Sequence, residues 1–459
     1  MKMKNKGIII FGGTGDLAYR KLFPALYNLH CLGLLPEDYK VVGVGRKDYS
    51  KEDYVEIIKK WTSEFSRLKY RDEDFFEFSK RIIYYQMDMT KVAQYRNLLA
   101  DLDYVNGRTE SGWTYYYAVP PKIFGFITDG IRLAGCPLSG AKVIIEKPFG
   151  DTMDAAEYIY KNLKQCFSQE NIFFIDHYLG KEMIINIMTL RLANAIFGGV
   201  WNKDFIEKVE INAFEEVGVG TRGGYYDKSG AMVDMVQNHL FQILSIVAME
   251  RPADNSSEAI KAAQTKLFKE LKDIEDPHKI DQLLVMGQYK GYLEEDKIDP
   301  ESTTETYVAL KLAIENDRWR GVPFYLRTGK KMAQKKSEVV ITFKSTTEGA
   351  QPNKLIIEIQ PDEGVKLDFN IKKPGTENTI EKVDMDFCQS CVLENRQNTP
   401  EAYERLLMAA MDEDRSLFSQ WNQIEICWKY INRIMEIYHR FSDKVHVYEP
   451  GQDGPINNF

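Results

Sequence analysis

Short, mostly apolar runs alternate with helical patterns in the first third of the chain. The runs 8–11, 40–44, 115–119 and 143–145 have the composition of strands that are buried on both faces. After the first of them, leucines near helical spacing predict a helix over 16–32. Buried strands separated by helices predict an α/β region, with a doubly wound parallel sheet that helices cover on both faces.

The later part of the chain has a different pattern. Residues 355–360 and 365–371 alternate apolar and polar side chains with a period of two, which predicts strands with one wetter face. Further strand candidates are 209–214, 307–314 and 338–343, and helical patterns cover 232–249 and 401–418. These elements predict an α+β region with a large, mainly antiparallel sheet and helices. Because the doubly wound pattern ends near Phe174, we predict two domains, 1–175 and 176–459.

Length and charge narrow the range of partners. A chain of 459 residues is long enough for two domains with sizeable cores. Its 60 lysines and arginines and 68 aspartates and glutamates give a net charge of −8. This balance argues against nucleic acid or an anionic membrane as the main partner. We therefore expect any anionic ligand to be held by a local cluster of positive groups.

Targeting segments and cysteines give little sign of export. No apolar run approaches the roughly 18 residues of a membrane span, and the run 8–11 is too short for the core of a signal peptide. Six cysteines do not indicate a disulfide framework, which fits a reducing cytoplasm. We assign a structural role to Cys388 and Cys391, since a metal or redox role would need a second pair or a thioredoxin-like context.

A glycine-rich turn joins the first strand to the first helix. Gly12 allows a tight turn, Gly15 lets the backbone approach a pyrophosphate, and Ala18 lets the helix and strand pack closely. The amide groups of the helix N-terminus would then face the phosphates. The turn predicts a Rossmann-like dinucleotide site, with an ordinary strand–helix turn as the alternative. The candidate cofactor contacts in this turn are Gly12, Thr14, Gly15, Asp16 and Leu17.

The end of the second strand bears on which dinucleotide is bound. An NAD site usually has an acidic residue there, which accepts hydrogen bonds from ribose hydroxyls. Here Arg46 and Lys47 follow the strand, and they suit the 2′-phosphate of NADP. The nearby Asp48 keeps NAD open as a weaker alternative, and Arg46 could also be a solvated strand end.

Two histidine-containing segments hold candidate chemistry. If a helix starts near Asp176, His177 and Lys181 lie on one face of it and could bind a dianion together. Asn238 and His239 lie on an apolar helix, where polar groups are costly unless they are paired. Taken singly, a core histidine and an N-capping aspartate are the simpler interpretations of these segments.

Considered together, these segments form a known pattern. The chain resembles the glucose-6-phosphate dehydrogenase family, and the resemblance extends over nearly its whole length. It rests on GGTGDLAYRKLFPALYNL from Gly12, YYYAVPP from Tyr115, EKPFG from Glu146, IDHYLGKE from Ile175, RGGYYD from Arg222, DMVQNHL from Asp234, VPFYLRTGK from Val322 and AYERLL from Ala402.

The resemblance implies an NADP-linked oxidation of β-D-glucose 6-phosphate at C1. It makes His239 the general base and Asp176 the carboxylate that pairs with it. Removing the C1 hydroxyl proton needs a base with a pKa near neutral, and an imidazole oriented by a carboxylate meets this need. No metal is required, because hydride chemistry belongs to the cofactor.

The resemblance also implies the contacts of the sugar. It places His177, Tyr178 and Lys181 at the phosphate, and Lys147 at both the sugar and the cofactor. The other residues that it places at the sugar are Glu215 and Asp234, which hold the hydroxyls, Lys330 and, less securely, Lys335. It further implies a homodimer or a dimer of dimers formed through the large sheet.

The sequence departs from the family pattern at a few positions, and it leaves two alternative functions open. Phe174, Gly198 with Gly199, Thr221 and Val233 replace the more usual residues of the family, and this leaves regulation, the shape of the site and cofactor preference open. A Rossmann-fold sugar or polyol dehydrogenase would oxidise an unphosphorylated substrate, which does not need so many cationic neighbours. An NADP-binding sensor without turnover would have lost the base or its partner.

Overall fold

The protein forms two compact units, as shown by a computed structural model that describes residues 7–106, 112–135, 140–345, 347, 350–377, 379–389, 391 and 398–455. The first unit is Met1–Gly180 with Pro400–Trp421, and the second is Lys181–Thr399 with Asn422–Phe459. The domain boundary at 175/176 stays a prediction. Within the described residues, no helix has the length and apolar character needed to cross a membrane.

The first unit contains a seven-stranded sheet. Its strands are β1 (Gly7–Phe11), β2 (Lys40–Gly45), β3 (Ile82–Gln86), β4 (Thr114–Tyr117), β5 (Lys142–Ile145), β6 (Ile172–Ile175) and β15 (Phe418–Ser419). Their order is β15-β6-β5-β4-β1-β2-β3, and all pairs except β15 with β6 are parallel. This confirms the doubly wound sheet. Its strand order changes direction between β1 and β4, where ligands bind in open α/β sheets.

Helices follow the parallel strands in turn. They are α1 (Phe23–Cys31), α2 (Lys51–Phe65), α3 (Asp72–Ser79), α4 (Gln94–Asn106), α5 (Phe124–Leu133) and α6 (Met153–Leu163). The predicted helix over 16–32 is present but not uniform, because a π-helical segment, Ala18–Leu22, leads into α1. The strand predicted over 115–119 ends earlier, at Tyr117.

A segment from near the C-terminus, Pro400–Trp421, completes the first unit. The single helix predicted over 401–418 is wrong, because helix α12 (Ala402–Met411) ends there and Phe418 pairs with Ile175 of β6. Glu413 has a φ of +64°, a left-handed conformation of the kind that terminates helices. Pro400–Trp421 is called the return segment below.

The return segment is held by buried polar contacts. The Glu404 carboxylate accepts hydrogen bonds from Asn28 Nδ2 at 3.0 Å and from Arg67 Nε at 2.9 Å and Nη2 at 2.8 Å. Lys142 Nζ, fully buried, donates to the carbonyl oxygens of Ala410 at 2.7 Å and Met411 at 3.1 Å. These bonds satisfy the last carbonyls of α12, which have no partner within the helix.

The second unit is built on a nine-stranded sheet. Its strands are β7 (Ile206–Phe214), β8 (Leu284–Tyr289), β9 (Tyr307–Leu312), β10 (Phe324–Gly329), β11 (Lys336–Phe343), β12 (Lys354–Gln360), β13 (Gly364–Lys372), β14 (Ile380–Cys388) and β16 (Val445–Tyr448). The order is β14-β13-β12-β11-β7-β10-β9-β8-β16. Pairing is antiparallel except between β7 and β10 and between β8 and β16, which confirms the mainly antiparallel sheet. The predicted strand over 307–314 stops at Leu312.

The helices of the second unit include an irregular stretch in its interior. The helices are α7 (Glu182–Ala193), α8 (Ala195–Gly198), α9 (Gly223–Ala231), α10 (Phe241–Ala248), α11 (Ser257–Lys269) and α13 (Trp421–Phe441), whose first residue belongs to the first unit. The regular helix predicted over 232–249 is instead a π-helical segment, Met232–Leu240, that leads into α10. This segment, called the π segment below, carries Asp234, Asn238 and His239.

Two of the cysteines are joined. A disulfide links Cys388, the last residue of β14, to Cys391. The structural role expected of this pair did not include a bond between the two cysteines, because no second pair or redox context accompanies them in the sequence. Cys31, Cys166 and Cys427 are not part of a disulfide, and burial raises the pKa of Cys427 well above its ordinary value.

Candidate functional site

The glycine turn packs tightly against the ends of three strands. Gly12 has a φ of +90°, and a Cβ at this position would lie 2.2 Å from the carbonyl oxygen of Ala118, which follows β4. The amides of Gly12 and Gly13 donate to the Val44 carbonyl of β2 at 3.0 and 2.9 Å. The Gly15 amide donates back to Gly12 at 2.9 Å and closes the turn. Only glycine meets both the dihedral and the space requirement at position 12.

The turn leads directly into the first helix, as a pyrophosphate site requires. Helical residues begin at Asp16, so the first amides of the helix lie beside the turn at the crevice between β1 and β4. Tyr54 Oη donates to the Gly13 carbonyl at 2.7 Å and fixes the side of the turn that faces the core. A turn with no room for a Cβ, followed by a helix N-terminus, fits the phosphates of a dinucleotide.

The side chains of Arg46 and Lys47 extend into solvent just after β2. Hydrogen bonds from Thr90 lower the pKa of Asp88, and the nearby positive charge of Arg46 acts in the same direction. Arg46 therefore lies at the edge where β2 and β3 end, as the sequence predicted. A contact between Arg46 and the ribose end of a dinucleotide stays a prediction.

Lys147 follows β5 at the same edge of the sheet. The preceding residue, Glu146, accepts hydrogen bonds from Tyr116 of β4 and from Tyr403 of the return segment. Burial nevertheless raises the pKa of Glu146 above its ordinary value. The segment that carries Lys147 is thus anchored at its start by two tyrosines, one on a neighbouring strand and one on α12.

Asp176, His177 and Tyr178 follow β6 in a turn, so no helix starts near Asp176, and the condition for a shared helix face is not met. Asp176 is only 2% exposed, and its Oδ1 accepts the Tyr178 amide at 3.0 Å. This local bond holds the chain in a turn, since an aspartate that bonds the amide two residues on competes with helix formation. Helix α7 begins only at Glu182, so the shared helix face proposed for His177 and Lys181 does not exist.

Lys181 is the residue before α7 and contacts the large sheet of the second unit. Its Nζ donates to Gln360 Oε1 at the end of β12. Burial raises the pKa of Glu363, and the positive charge of Lys181 opposes this rise. Gln360 in turn donates from Nε2 to Ser337 Oγ at 3.0 Å. The lysine is therefore held at the end of a strand, and not on a helix face.

His239 lies in the π segment and is 3% exposed. Its backbone amide donates to Asn238 Oδ1 at 2.6 Å, and Asn238 Nδ2 donates to the Val233 carbonyl at 2.7 Å. The Asn238 side chain thus forms hydrogen bonds with backbone groups of the irregular turn. π-Helical segments occur frequently at functional sites, because they change the direction of side chains within a helix.

Glu215, Asp234 and Lys330 lie near the buried ring of Tyr226. Lys330 Nζ donates to Glu215 and lies 5.0 Å from the centre of the Tyr226 ring. Burial raises the pKa of Tyr226 far above its ordinary value, with the charges of Asp234 and Glu305 adding to the effect. The cluster brings together opposite charges that can donate to and accept from sugar hydroxyls.

Tyr226 was not among the residues predicted for the site. The signal that could have identified it is the RGGYYD motif, which places Tyr226 close in sequence to Arg222. Arg222 Nη2 lies 3.9 Å from Asp234 Oδ1. Lys335 is exposed, and within the part of the chain that the structure describes it makes no hydrogen bond or ion pair with the cluster around Tyr226.

Each unit therefore gathers a group of the predicted residues. In the first unit, the glycine turn, Arg46 and Lys147 lie at the carboxyl-terminal edge of the parallel sheet. In the second unit, Glu215 and Lys330 form one cluster together with Asp234. Asp176 belongs to the first unit and His239 to the second, so their pairing stays a prediction.

Two family models together match almost the whole chain. The model described as "Glucose-6-phosphate dehydrogenase, NAD binding domain" matches residues 9–186. The model described as "Glucose-6-phosphate dehydrogenase, C-terminal domain" matches residues 188–458. The chain belongs to the glucose-6-phosphate dehydrogenase family. The first family model also agrees with the dinucleotide turn in the doubly wound sheet.

Individual members of the glucose-6-phosphate dehydrogenase family are similar over their full length. Glucose-6-phosphate 1-dehydrogenase from Aggregatibacter actinomycetemcomitans is 39% identical over 475 residues, which cover 99% of this chain and 95% of that protein. The protein of the same name from Bacillus subtilis (strain 168) is 36% identical over 470 residues, with 98% and 94% covered. These relatives confirm the family that the sequence motifs indicate.

Solved structures give the same result for the fold. The structure described as glucose-6-phosphate dehydrogenase in complex with its substrate glucose-6-phosphate has a TM-score of 0.90 and 31% identity, with 100% of this chain and 97% of that chain covered. A mutant of Gal80p from Saccharomyces cerevisiae has a TM-score of 0.53 at 11% identity. That second likeness shows a shared fold alone.

Proposed function

We propose that the chain oxidises β-D-glucose 6-phosphate at C1 to 6-phospho-D-glucono-1,5-lactone with NADP⁺, the first step of the oxidative pentose phosphate pathway. The observation that carries the proposal is the cluster of Glu215, Asp234 and Lys330 around Tyr226. It belongs to a chain that is similar over its full length to relatives named for this reaction. It supplies the donors and acceptors that a sugar needs, on a unit separate from the dinucleotide turn.

The dinucleotide turn would hold the cofactor by its phosphates. When bound, NADP⁺ supplies the hydride acceptor. The backbone from Gly12 to Leu17, which includes Thr14, Gly15 and Asp16, would surround the pyrophosphate. The turn can be this tight because Gly12 has no Cβ. Arg46 would bind the 2′-phosphate by charge-assisted hydrogen bonds. Lys147, anchored at the same edge of the sheet, would contact both the cofactor and the sugar.

His239 is the proposed general base. As C1 loses its hydride, the C1 hydroxyl must lose a proton, and a neutral imidazole can take it. Asp176 would accept a hydrogen bond from the other ring nitrogen and stabilise the imidazolium that forms. One carboxylate oxygen of Asp176 is already used by the Tyr178 amide, which orients the group.

The phosphate of the substrate does not react but contributes to binding. We propose that His177, Tyr178 and Lys181 hold it, and that Lys335 contributes less. The sugar hydroxyls would lie against Glu215 and Asp234, beside the ammonium group of Lys330. Binding energy from the remote phosphate can position C1 for reaction, and this raises the rate of the chemical step.

Glucose should be a far poorer substrate than glucose 6-phosphate. We expect kcat/KM for glucose to be lower by about 10³-fold or more, because several hydrogen bonds to a charged group are lost and each contributes about 1.5–3 kcal/mol. The measurement is the initial rate of NADPH formation with each sugar. Equal values for the two sugars would favour a dehydrogenase of unphosphorylated sugars. A chain that forms no NADPH from either sugar would favour the sensor.

Replacing Arg46 by alanine should weaken the use of NADP selectively. We expect kcat/KM for NADP⁺ to fall by about 10- to 100-fold, because the 2′-phosphate loses a charge-assisted partner. The value for NAD⁺ should change by less than about twofold, since NAD⁺ has no such phosphate. Lys47→Ala is the matched control at the neighbouring exposed position. If Arg46→Ala leaves the ratio of NADP⁺ to NAD⁺ unchanged and Lys47→Ala lowers it, the assignment belongs to Lys47.

The assembly and location of the protein are further parts of the proposal. Strands β13 and β14 are antiparallel neighbours, and exposed apolar side chains of both strands lie on the same face of the sheet. Among them are Phe369, Met385 and Phe387. Such a face at the edge of a large sheet suits a second copy of the chain, because a twofold contact is self-complementary. We propose a homodimer, or a dimer of such dimers, that works in the cytoplasm.

A further inference from the structure

Glu305 is a buried carboxylate that the proposed mechanism does not use. It lies just before β9 and is 7% exposed. Its Oε1 accepts the backbone amide of Met232, the first residue of the π segment, at 2.8 Å. Its own carbonyl accepts the amide of Ala231 at 3.0 Å. Glu305 therefore binds two successive amides at the start of the segment that carries Asp234 and His239.

The chain bends sharply at this contact. Gly230, within the last residues of α9, has a φ of +61° and a ψ of −179°. A Cβ on Gly230 would lie 2.2 Å from Glu305 Oε1 and 2.6 Å from its Oε2. The carboxylate thus occupies the space that a side chain at position 230 would need. The bend and the carboxylate depend on each other, and together they set the direction in which the π segment begins.

The residue after Glu305 is bonded to the backbone of the sugar-binding lysine. The Thr306 carbonyl accepts the amide of Lys330 at 3.0 Å. Thr306 Oγ1 lies 3.0 Å from Tyr448 Oη, which donates to the Lys330 carbonyl at 2.6 Å. The Thr306 amide donates to the Gly287 carbonyl at 2.7 Å and ties the pair to β8. Two adjacent residues therefore hold the start of the π segment on one side and Lys330 on the other.

We propose that Glu305 is a positioning residue, whose buried carboxylate fixes the start of the π segment, and with it Asp234 and His239, relative to Lys330. The proposal rests on the proposed function, because it concerns the site of that reaction. Glu305 touches neither substrate nor cofactor in this role. It acts by holding the base and a sugar-binding carboxylate in register with a sugar-binding lysine.

The surroundings of the carboxylate agree with a role as an acceptor. Burial raises the pKa of Glu305 to about 7. The neutral and the charged forms can both accept a backbone amide, so the contact with Met232 does not depend on charge. A glutamine at this position keeps the acceptor and nearly the same shape. An alanine removes the acceptor. The buried amide of Met232 then has no hydrogen-bond partner, and a cavity remains where the carboxylate was.

The experiment compares Glu305→Ala with Glu305→Gln in the full chain, well below the unfolding temperature of each. We expect kcat for glucose 6-phosphate to fall by about 10²-fold in Glu305→Ala, since a misplacement of about 1 Å costs a rate factor of that size. We expect the KM for NADP⁺ to stay within about twofold, because the dinucleotide turn is not touched. Glu305→Gln should recover kcat to within about threefold of the wild type.

Glu250→Ala is the control for loss of a charged hydrogen-bonding group in the same unit. The Glu250 carboxylate accepts from Arg318 Nε at 3.0 Å and Nη2 at 2.8 Å, in contacts that involve none of the site residues. This variant should lower the melting temperature and leave kcat unchanged. The positioning role is overturned if Glu305→Ala keeps the wild-type kcat, if Glu250→Ala loses as much, or if Glu305→Gln is as slow as Glu305→Ala.

A second pair of variants covers the case in which Glu305→Ala does not fold. Gly230 and Gly321 both have a positive φ, of +61° and +89°, but a Cβ on Gly321 would meet no atom within 4 Å. Gly230→Ala should therefore lower kcat, whereas Gly321→Ala should bear only the backbone strain and keep it. Equal kcat values would overturn the proposal. A wild-type chain that forms no NADPH from glucose 6-phosphate overturns the proposed function, whereas an active wild type with unaltered variants overturns only the role of Glu305.

Discussion

Replacing His239 by asparagine should lower kcat for glucose 6-phosphate by about 10²- to 10⁴-fold. The imidazole is the proposed acceptor of the C1 hydroxyl proton, and asparagine has a similar size but no basic nitrogen. The effect should be in kcat, because the proton moves only in the chemical step. Since His239 lies in the second unit and the dinucleotide turn in the first, the affinity for NADP⁺ should stay nearly unchanged.

The measurement is steady-state kinetics together with a titration of NADP⁺. His278→Asn is the matched control, because His278 belongs to the same unit and is exposed to solvent. It should have wild-type kinetics. If His239→Asn keeps more than a tenth of the wild-type kcat, or loses no more than His278→Asn, His239 is not the base and the mechanism must be assigned to another group.

Replacing Gly12 by alanine should destroy the dinucleotide site. The added Cβ would lie 2.2 Å from the Ala118 carbonyl oxygen and 2.9 Å from its carbonyl carbon, and neither can move without shifting the chain that follows β4. The φ of +90° adds backbone strain of about 1–3 kcal/mol for any residue with a Cβ. We expect kcat/KM for NADP⁺ to fall by more than about 10²-fold, because the amides at the helix start would be displaced from the phosphates.

Gly33→Ala separates the two causes of this effect. Gly33 also has a positive φ, of +68°, but a Cβ there would meet no atom within 4 Å. This control bears the strain without the close approach, so its stability should fall modestly and its kcat/KM should stay at the wild-type value. Unfolding curves and NADP⁺ kinetics of both variants give the comparison. Equal losses in the two variants would show that strain alone, and not the packed turn, governs cofactor use.

Local patterns sufficed for the parts of the fold that are set by local chemistry. The runs 8–11, 40–44 and 143–145 are strands of the parallel sheet, because a strand buried on both faces must be apolar along its length. The alternating residues 365–371 lie in β13, as their period of two predicts, although Phe369 and Ile371 are exposed and Asp368 is buried. The glycine turn could also be predicted, because the glycine-rich motif lies directly between a strand pattern and a helix pattern.

The elements that were mispredicted depend on contacts that periodicity does not report. The turn after Asp176 is set by one side-chain bond to an amide two residues on, and the return segment by partners such as Asn28, far away in sequence. The π segment has the same apolar composition as a regular helix, so its different period could not be recognised. Glu305 could not be recognised either, because its partner Met232 lies far from it in sequence.

The return segment has a consequence for how the protein is made. A ribosome must synthesise strands β7 to β14 of the second sheet before residues 400–421 emerge, and only then can Phe418 bond to the open edge of β6. Until that moment, Lys142 and Arg67 lack the groups that they contact in the finished molecule. The first unit, although most of it is synthesised first, is therefore completed late. A fragment that stops at residue 180 would leave the edge of β6 unpaired and prone to aggregation.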